Sequence, residues 1–412
     1  MSNSYPKILF LNINFNYSNS AGITISKLLG AFPAESLSII FNSFESPNIY
    51  IFDNYFCIDR DRIFSKYQLE GVVNNKSAQT SERSYKLLRK IFRNNIGYKK
   101  SKNEYKITNG LALFLDSVKP CFVYINPDKS EKMIYLAMLI ANYTNAKIIT
   151  HILDDKVSSK FKGIFGIYYD IKFKSVFKKL LNKSSFRFTI SDLMNEEYER
   201  RYKLKFFVFN NIIDIEQYRC AVNQYSEDKV FVYTGVLDYN INTLVNFASA
   251  LEELQKGGLK VKFRLYTKLN NSNFVNKLNR FNFVELNEYV PQDEIPFILS
   301  KANYLLLPLP FDGTQKFTNL SLPTKLPEYF ASKAPIIAIT PKNTALYNYL
   351  NDNNAAYLID SDDKKVLLSK LKKLITDSDS INLKVDNAYK LLLNRHNLIT
   401  EESRFISLIS EN

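Results

Sequence analysis

Short apolar runs alternate along the chain with segments whose apolar positions recur every three to four residues. That is the pattern of strands alternating with helices. In the first half, the runs at Ile8–Ile13, Leu37–Phe41, Ile49–Phe52, Phe122–Ile125, Lys147–Ile152, Phe186–Ser191 and Phe206–Asn210 predict strands. Helical spacing predicts helices over Thr24–Gly30, Ser81–Ile96, Ile107–Ser117, Glu131–Asn142 and Leu193–Tyr202. The second half alternates more cleanly. Strands are predicted at Val230–Gly235, Val261–Tyr266, Phe283–Leu286, Tyr304–Leu307, Pro335–Ile339 and Ala356–Ile359. Between them fall helical patterns at Asn242–Lys256, Asn273–Asn279, Gln292–Ser300, Pro323–Ser332 and Thr344–Leu350, with closing helices at Ser361–Thr376 and Ser380–Asn394. This order predicts an α/β protein with parallel sheets built from βαβ units. The polar, weakly periodic stretch 214–228 is the expected linker between two such sheets, and no internal sequence repeat is visible.

Composition narrows the class. The 412 residues suffice for two or three domains with ample cores. A hydrophobic share of 46% is too high for a disordered chain, and 11 Gly with 13 Pro are too few for a fibrous one. Cys57, Cys121 and Cys220 form no CxxC pair, which excludes a disulfide framework and a zinc ribbon. Two histidines, His151 and His396, exclude a multi-histidine metal centre. No run approaches the ~18 apolar residues of a membrane span, and no signal-type segment opens the chain, so the expected location is cytoplasmic.

Charge is uneven. Of the net +14, residues 1–220 hold +13, and residues 60–106 alone hold +9. Inside that window Ser81–Tyr98 reads as an amphipathic helix with Arg89, Lys90 and Arg93 on its polar side. A second basic and aromatic stretch, Lys172–Leu181, contains Lys178 and Lys179. Either these are solvated helix faces, or they meet anionic lipid headgroups at ~1 kcal/mol per basic residue. No nucleic-acid signature accompanies the charge, and no nucleic-acid partner is expected.

Open parallel sheets bind ligands beyond the carboxyl ends of their strands. The most informative such segment is Ser321–Ala338, read as a loop, a short helix and a buried strand. Ser321 and Thr324 are candidate caps, and the helix start beside Lys325 would attract a phosphate. Glu328 in the first turn has two readings: an acceptor for ribose hydroxyls, or a favourable contact with the helix dipole alone. His151, in Thr150-His151-Ile152-Leu153-Asp154-Asp155, is predicted at a strand end. It either contacts the acceptor or the transferring sugar, or hydrogen-bonds to organise its loop. Asp154 and Asp155 lack a third ligand, and no metal is expected there. His396 is expected to be structural.

The segment Ser321-x-Pro323-Thr324-Lys325-Leu326-x-Glu328-Tyr329-x-Ala331 through Pro335-Ile336-Ile337-Ala338 resembles the donor-binding segment of retaining GT-B glycosyltransferases of the family 4-like group. Tyr233-Thr234-Gly235-Val236, Val290-Pro291-Gln292-Asp293-Glu294-Ile295-Pro296, Ala302–Pro308 and Ser20-Ala21-Gly22-Ile23-Thr24 resemble further pieces of that family in the expected order. So do Thr189–Met194 and Phe209–Asp214. The match departs where a second family Glu would fall, at Leu320, and where a basic pair would follow Gly235. It departs again at Asn126, where the family carries a histidine.

The resemblance implies the GT-B fold, with two Rossmann-like domains facing across a cleft. The expected N-terminal acceptor-binding domain is 1–213, with the terminal helix 398–412 packing back on it. The expected donor-binding domain is 229–397. It implies a retaining, metal-independent transfer from a nucleotide sugar (a UDP- or GDP-sugar) to a saccharide acceptor, with no further cofactor. The acceptor is expected to be lipid-linked and destined for a bacterial surface polysaccharide, with the enzyme peripheral at the inner membrane face. Gly235, Lys268, Ser321, Thr324, Lys325 and Glu328 would hold the donor, His151 and Lys325 would serve transfer, and Gly22, Asn126, Asp154 and Asp155 would face the acceptor. The rival readings are a catalytically silent GT-B subunit that binds a partner or membrane, and a nucleotide-sugar epimerase.

Overall fold

The computed structural model describes residues 5–11, 20–30, 32–42, 52–64, 106–161, 163–218, 228–237, 239–269, 272–313, 316–376 and 378–410. The basic segment at 81–98, with Arg89, Lys90 and Arg93, lies outside them, as does 219–227 of the expected linker. The chain divides into two compact units. One is Met1–Phe209 with Glu402–Asn412, and the other is Asn210–Glu401.

The first unit is built on β1 (Ile8–Leu11), β2 (Leu37–Phe41), β3 (Asn54–Cys57), β4 (Arg62–Phe64), β5 (Phe122–Ile125), β6 (Lys147–Ile152), β7 (Ser184–Thr189) and β8 (Phe207–Val208). Their order in the sheet is β4-β3-β2-β1-β5-β6-β7-β8. Every described neighbour pair is parallel except β3 with β4. β1 has no exposed surface, as expected for a central strand covered on both faces. Its helices are α1 (Ser20–Leu28), α2 (Asn109–Val118), α3 (Glu131–Thr144), α4 (Gly166–Lys183) and α5 (Asp192–Tyr202). The starts of α2 and α5 are fixed by side-chain caps: Thr108 Oγ1 accepts from the Leu111 N–H at 3.2 Å, and Ser191 Oγ from that of Met194 at 3.0 Å.

Four elements differ from expectation. β3 begins at Asn54; residues 49–51 of the predicted 49–52 run lie outside the described residues, and its last residue, Phe52, is a core plug. Its ring packs 5.7 Å from Phe10 and 5.9 Å from Tyr55. A short hairpin then turns at Asp61, in the left-handed region at φ 48°, to form the unpredicted β4. Helix α4 is longer than its sequence suggests, for a reason given below. Gly22 lies within α1 rather than in a loop.

The second unit contains β9 (Lys229–Thr234), β10 (Val261–Tyr266), β11 (Val284–Asn287), β12 (Tyr304–Pro308), β13 (Ile336–Ile339) and β14 (Tyr357–Ile359). All pair in parallel in the order β11-β10-β9-β12-β13-β14, the doubly wound arrangement in which the first strand is central. Its helices are α6 (Ile241–Lys256), α7 (Ser272–Asn279), α8 (Ile295–Leu299), α9 (Leu326–Ala331), α10 (Ala345–Asp352), α11 (Lys364–Thr376) and α12 (Ser378–Arg395). α6 buries Leu244, Phe247, Ala248 and Leu251, and Phe247 sits edge-on to Phe231 and Phe263 at 5.6 and 5.3 Å. Burying each such aromatic side chain stabilises the unit by ~1.5–3 kcal/mol. His396 is fully buried and bridges the Asn211 carbonyl at 2.6 Å and the Tyr349 hydroxyl at 2.8 Å.

The last helix, α13 (Leu398–Ser410), spans the boundary between the two groupings at Glu401. Ile213 bridges Asn397, and the Asn211 carbonyl receives His396, so Asn210–Ile213 group with the second unit. Further along, Phe405 is fully buried and packs edge-on to Phe188 and Phe209, both at 5.6 Å. No described helix is long and apolar enough to cross a membrane.

Candidate functional site

The second unit changes direction at β9, which pairs with β10 on one side and β12 on the other. Crevices form at such switch points, outside the carboxyl ends of the strands. Here the two strands part at the switch point for a specific reason. The β9–β12 register runs only through Tyr304↔Phe231 and Leu305↔Val232. Beyond that point the Tyr329 hydroxyl stands between the strands. It accepts from the Thr234 N–H at 3.2 Å and donates to the Leu306 carbonyl at 3.4 Å. A side chain from α9 thus replaces the last rungs of the ladder and leaves the backbone groups partnered. Burial holds the Tyr329 phenol up at about 12, so it remains a donor at any physiological pH.

Lys325 reaches the carboxyl end of β9 from the residue before α9. Its ammonium donates to the Thr234 carbonyl and lies 4.1 Å from the centre of the Tyr233 ring. Part of the Lys325 surface reaches solvent, but the charged end is packed inward and desolvated. Desolvation pulls its pKa down to about 7, against an opposing attraction from the Glu328 carboxylate. The seat is made by Gly235, at φ 138°. A Cβ there would fall 2.4 Å from Lys325 Nζ and 3.2 Å from the Tyr233 hydroxyl. Gly235 therefore serves both backbone conformation and space. The Tyr233 hydroxyl is itself anchored to the Val236 carbonyl at 2.6 Å.

Glu328 is 7% exposed and accepts from Gln292 Nε2 at 2.5 Å. Its charge is felt by Tyr218 and Tyr289, whose phenols are raised by burial first and by the carboxylate second. Lys268, exposed beyond β10, lies 5.8 Å from the centre of the Tyr289 ring. Thr267, next to it, is fully buried with a hydroxyl that has no partner among the described residues. Ser321 and Thr324 do not cap α9. The helix begins at Leu326 rather than Pro323, its cap residue Lys325 is already helical, and no side-chain cap bond forms. The preceding turn is closed instead by the Leu326 N–H on the Pro323 carbonyl at 3.1 Å, and the Ser321 N–H goes to Thr318.

Sequence reasoning placed Gly235, Lys325 and Glu328 in one site, and the first two are in contact. It missed Gln292, Tyr218, Tyr289 and Tyr329. Tyr329 stands one position after Glu328, where the apolar side of a helix and a polar tip coincide. That position was the available signal. Tyr218 and Gln292 lie 110 and 36 residues away in sequence from Glu328, and nothing local marks them.

In the first unit, two expectations are corrected. His151 does not sit at an open strand end. It is fully buried in β6, with Phe188 edge-on to it at 5.8 Å and its Nδ1 2.5 Å from the Tyr124 hydroxyl. Burial lowers its pKa to about 3, opposed by the Phe209 backbone, so it stays neutral and out of reach of a sugar. Asp155 is 1% exposed and fully engaged. Arg201 Nη1 lies 3.0 Å from Oδ2, the Tyr198 hydroxyl donates to Oδ1 at 2.8 Å, and the Ser158 hydroxyl donates to Oδ2 at 2.5 Å. It ties the β6 loop to α5 and has no face for an acceptor. Asn126 and Asp154 stand half-buried just beyond β5 and β6, with Asp154 3.0 Å from the Lys156 ammonium. Lys178 and Lys179 are exposed on α4.

Comparison with known proteins bears on this geometry. No curated protein matches the sequence. Among solved structures, the chain is similar to Anabaena HepE in complex with UDP and glucose, at 14% identity with a TM-score of 0.61, covering 99% of this chain and 100% of that one. It is similar to a glycosyltransferase from Rickettsia africae at 14% identity and a TM-score of 0.65, covering 99% and 98%. It is also similar to a Staphylococcus aureus TarM variant in complex with Fondaparinux, alpha-GlcNAc-glycerol and UDP, at 12% identity and a TM-score of 0.61, covering 98% and 99%. At these identities the likeness establishes the fold, an α/β architecture with two largely parallel sheets shared with GT-B glycosyltransferases. In sequence, residues 228–377, which carry Gly235, Gln292, Lys325 and Glu328, match the domain family described as Glycosyl transferases group 1.

Proposed function

We propose that the chain transfers a sugar from a nucleotide sugar to a saccharide acceptor, with the donor held in the second unit. The observation that carries this reading is the meeting of Lys325, Gly235 and Thr234 at the switch point, with Glu328 three residues further on and bonded to Gln292. A pyrophosphate entering the crevice offers the Lys325 ammonium a charged acceptor in place of the Thr234 carbonyl. The bond to the Thr234 carbonyl has one ionised partner and a bond to the diphosphate has two, with full Coulomb attraction in a desolvated setting, so the exchange favours ligand. Glu328 accepts from ribose hydroxyls in place of Gln292, one neutral donor for another, and this bond orients the donor rather than adding charge attraction.

Transfer breaks the bond between the anomeric carbon and the diphosphate oxygen, and negative charge grows on the leaving group. A fixed ammonium in a desolvated pocket lowers that barrier because it needs no reorganisation. In this reading the anomeric configuration is retained, the leaving phosphate takes the acceptor proton, and Lys325 neutralises the diphosphate. Lys268 and Tyr289 border the nucleotide. UDP is the favoured nucleotide, because the HepE and TarM structures contain it. Asn126, Asp154 and Gly22 are the acceptor-side residues that remain, and the acceptor is a lipid-linked saccharide at an anionic membrane surface. His151 and Asp155 have no part in it.

The test is a thermal-shift series with UDP, UDP-glucose, GDP and GDP-mannose, followed by product analysis with and without a saccharide acceptor. Binding of one nucleotide family is expected, with Glu328→Ala weakening it about ten- to a hundredfold at an unchanged melting temperature of the free protein. No shift with any nucleotide sinks the donor site. Conversion of the sugar without an acceptor makes the chain an epimerase.

A further inference from the structure

The outward face of α4 changes chemistry along its length. Its inner face is ordinary, with Phe173, Val176, Phe177, Leu180 and Leu181 buried against the sheet. On the opposite side the first turns present Ile167, Tyr168 and Ile171, and the next turns present Lys174, Lys178 and Lys179. Ile167 and Lys174 share one line down the helix, as do Ile171 and Lys178, because seven residues make nearly two turns. Ile164 and Phe165 extend the apolar end. These five apolar side chains are between 54% and 84% exposed. Single exposed apolar residues are common on protein surfaces, but five within eight residues make a patch, and patches mark contact surfaces.

The tip is built and held. Gly166 packs on the Phe161 carbonyl so closely that a Cβ would lie 2.4 Å from it. Asp170 accepts from the Phe161 N–H at 3.0 Å, and the Lys129 ammonium lies 4.0 Å from the centre of the Phe161 ring. The tip also projects. Lys172 pairs with Glu131, the first residue of α3, at 2.9 Å, and Lys183 reaches Asn142 further along at 3.2 Å, so the two helices run side by side in one direction. The six residues of α4 before Lys172 therefore extend about 9 Å past the start of α3. This is the end of the first unit at which the parallel strands finish, where open sheets meet their ligands.

We propose that the tip of α4 inserts into an anionic phospholipid bilayer. Ile164, Phe165, Ile167, Tyr168 and Ile171 enter the acyl boundary while Lys174, Lys178 and Lys179 meet the phosphates. The geometry fits that depth: Lys174 lies about 10 Å along the axis from Ile167, and interfacial segments bury ~5–10 Å into the headgroup and acyl boundary. The charge pattern selects lipid over a second copy of this chain. Two such tips packed together would oppose their lysine rows, whereas an anionic leaflet complements them. This rests on the membrane part of the proposed function, and it replaces contact by charge alone with insertion at a defined place.

The chain contains no tryptophan, so Tyr168→Trp gives a single reporter. The full chain is mixed with vesicles of phosphatidylcholine, with or without about a third phosphatidylglycerol, and with brominated acyl chains in a parallel set. Phosphatidylglycerol vesicles are expected to shift the emission to the blue, and brominated chains to quench it. Ile167→Ser, Tyr168→Ser and Ile171→Ser together should lower the partition of the protein about tenfold or more, leaving its circular dichroism and its thermal shift with UDP unchanged. If the parent binds these vesicles but the reporter neither shifts nor is quenched, insertion is refuted while surface binding stands. If the parent does not bind them, both fall and the donor site is untouched. A dimer in solution that the triple serine variant dissociates, without vesicle binding, assigns the patch to self-association instead.

Discussion

Lys325 titrates near neutrality because its ammonium has exchanged water for an aromatic ring and a carbonyl. That gives the donor site a pH signature. The folded-state pKa, about 7, lies below the ordinary lysine value, so the free protein loses this charge as pH rises through 7. A diphosphate that pairs with the ammonium must hold the proton on, and binding then takes up a proton above pH 7. UDP affinity is expected to fall by up to about tenfold per pH unit between pH 7.5 and 9, measured by calorimetry in buffers of different ionisation enthalpy. Lys325→Arg should flatten the slope, because a guanidinium stays charged, and Lys325→Ala should bind weakly at every pH. An unchanged slope in the alanine variant would remove Lys325 from the diphosphate. Gly235→Ala tests the seat: its methyl group collides with the ammonium, so it should weaken UDP binding and not merely stability. These residues were legible because a lysine and a glutamate three apart at a loop-to-helix junction are chemically conspicuous. His151 was misread because sequence shows a strand end and not the aromatic rings of Phe188 and Tyr124 around it.

At the level of elements, legibility followed burial. The strands β2, β5 and β6 lie where their apolar runs put them, since strands covered on both faces carry near-continuous apolar sequence, and β10 was legible by its period of two, with Val261, Phe263 and Leu265 buried between half-buried Lys262 and Arg264. Helix α4 was seen only as a basic and aromatic stretch. Its outward tip is as apolar as its core face, so the helical period is blurred where the element begins. The start of α9 slipped from Pro323 to Leu326 because Pro323 closes a turn rather than opening the helix. The pair Asp154-Asp155 reads from sequence as one acidic motif, but the fold separates the two. Asp155 is a buried clamp between the β6 loop and α5, held by Arg201, Tyr198 and Ser158. Arg201 keeps its second ion pair, with Glu197 at 2.6 Å, so removing Asp155 chiefly strands the buried Tyr198 hydroxyl, at ~1–3 kcal/mol. Asp155→Ala should therefore lower the urea midpoint strongly, with Asp155→Asn in between, and neither should change the affinity for UDP. A stable, acceptor-defective Asp155→Ala protein would return this carboxylate to the active site.

On the scale of the molecule, sequence patterning and structure agree that two sheets of one architectural kind stand in series, yet they differ in composition. The first 220 residues hold nearly all the net charge, and the matched sequence family covers only the nearly neutral second unit. The proposed function accounts for that division. In that reading a site for a nucleoside diphosphate needs fixed backbone and a few set charges, such as Thr234, Gly235, Lys325 and Glu328, while a surface for an anionic partner needs bulk charge. Each unit also has its own core: the edge-on Phe231–Phe247–Phe263 cluster in one, and the Phe188–Phe209–Phe405 cluster in the other. A ligand that binds only the native second unit stabilises what it touches by ~2.7 kcal/mol at a hundredfold excess over its dissociation constant. Amide hydrogen exchange should then show UDP slowing the core of β9, β10 and α9, above all Thr234, whose N–H is held by a tyrosine hydroxyl instead of a neighbouring strand. Amides of β5, β6 and β7 should exchange as before. Protection that appears first in β5–β7 would move the nucleotide to the first unit and leave the Lys325 crevice without its ligand.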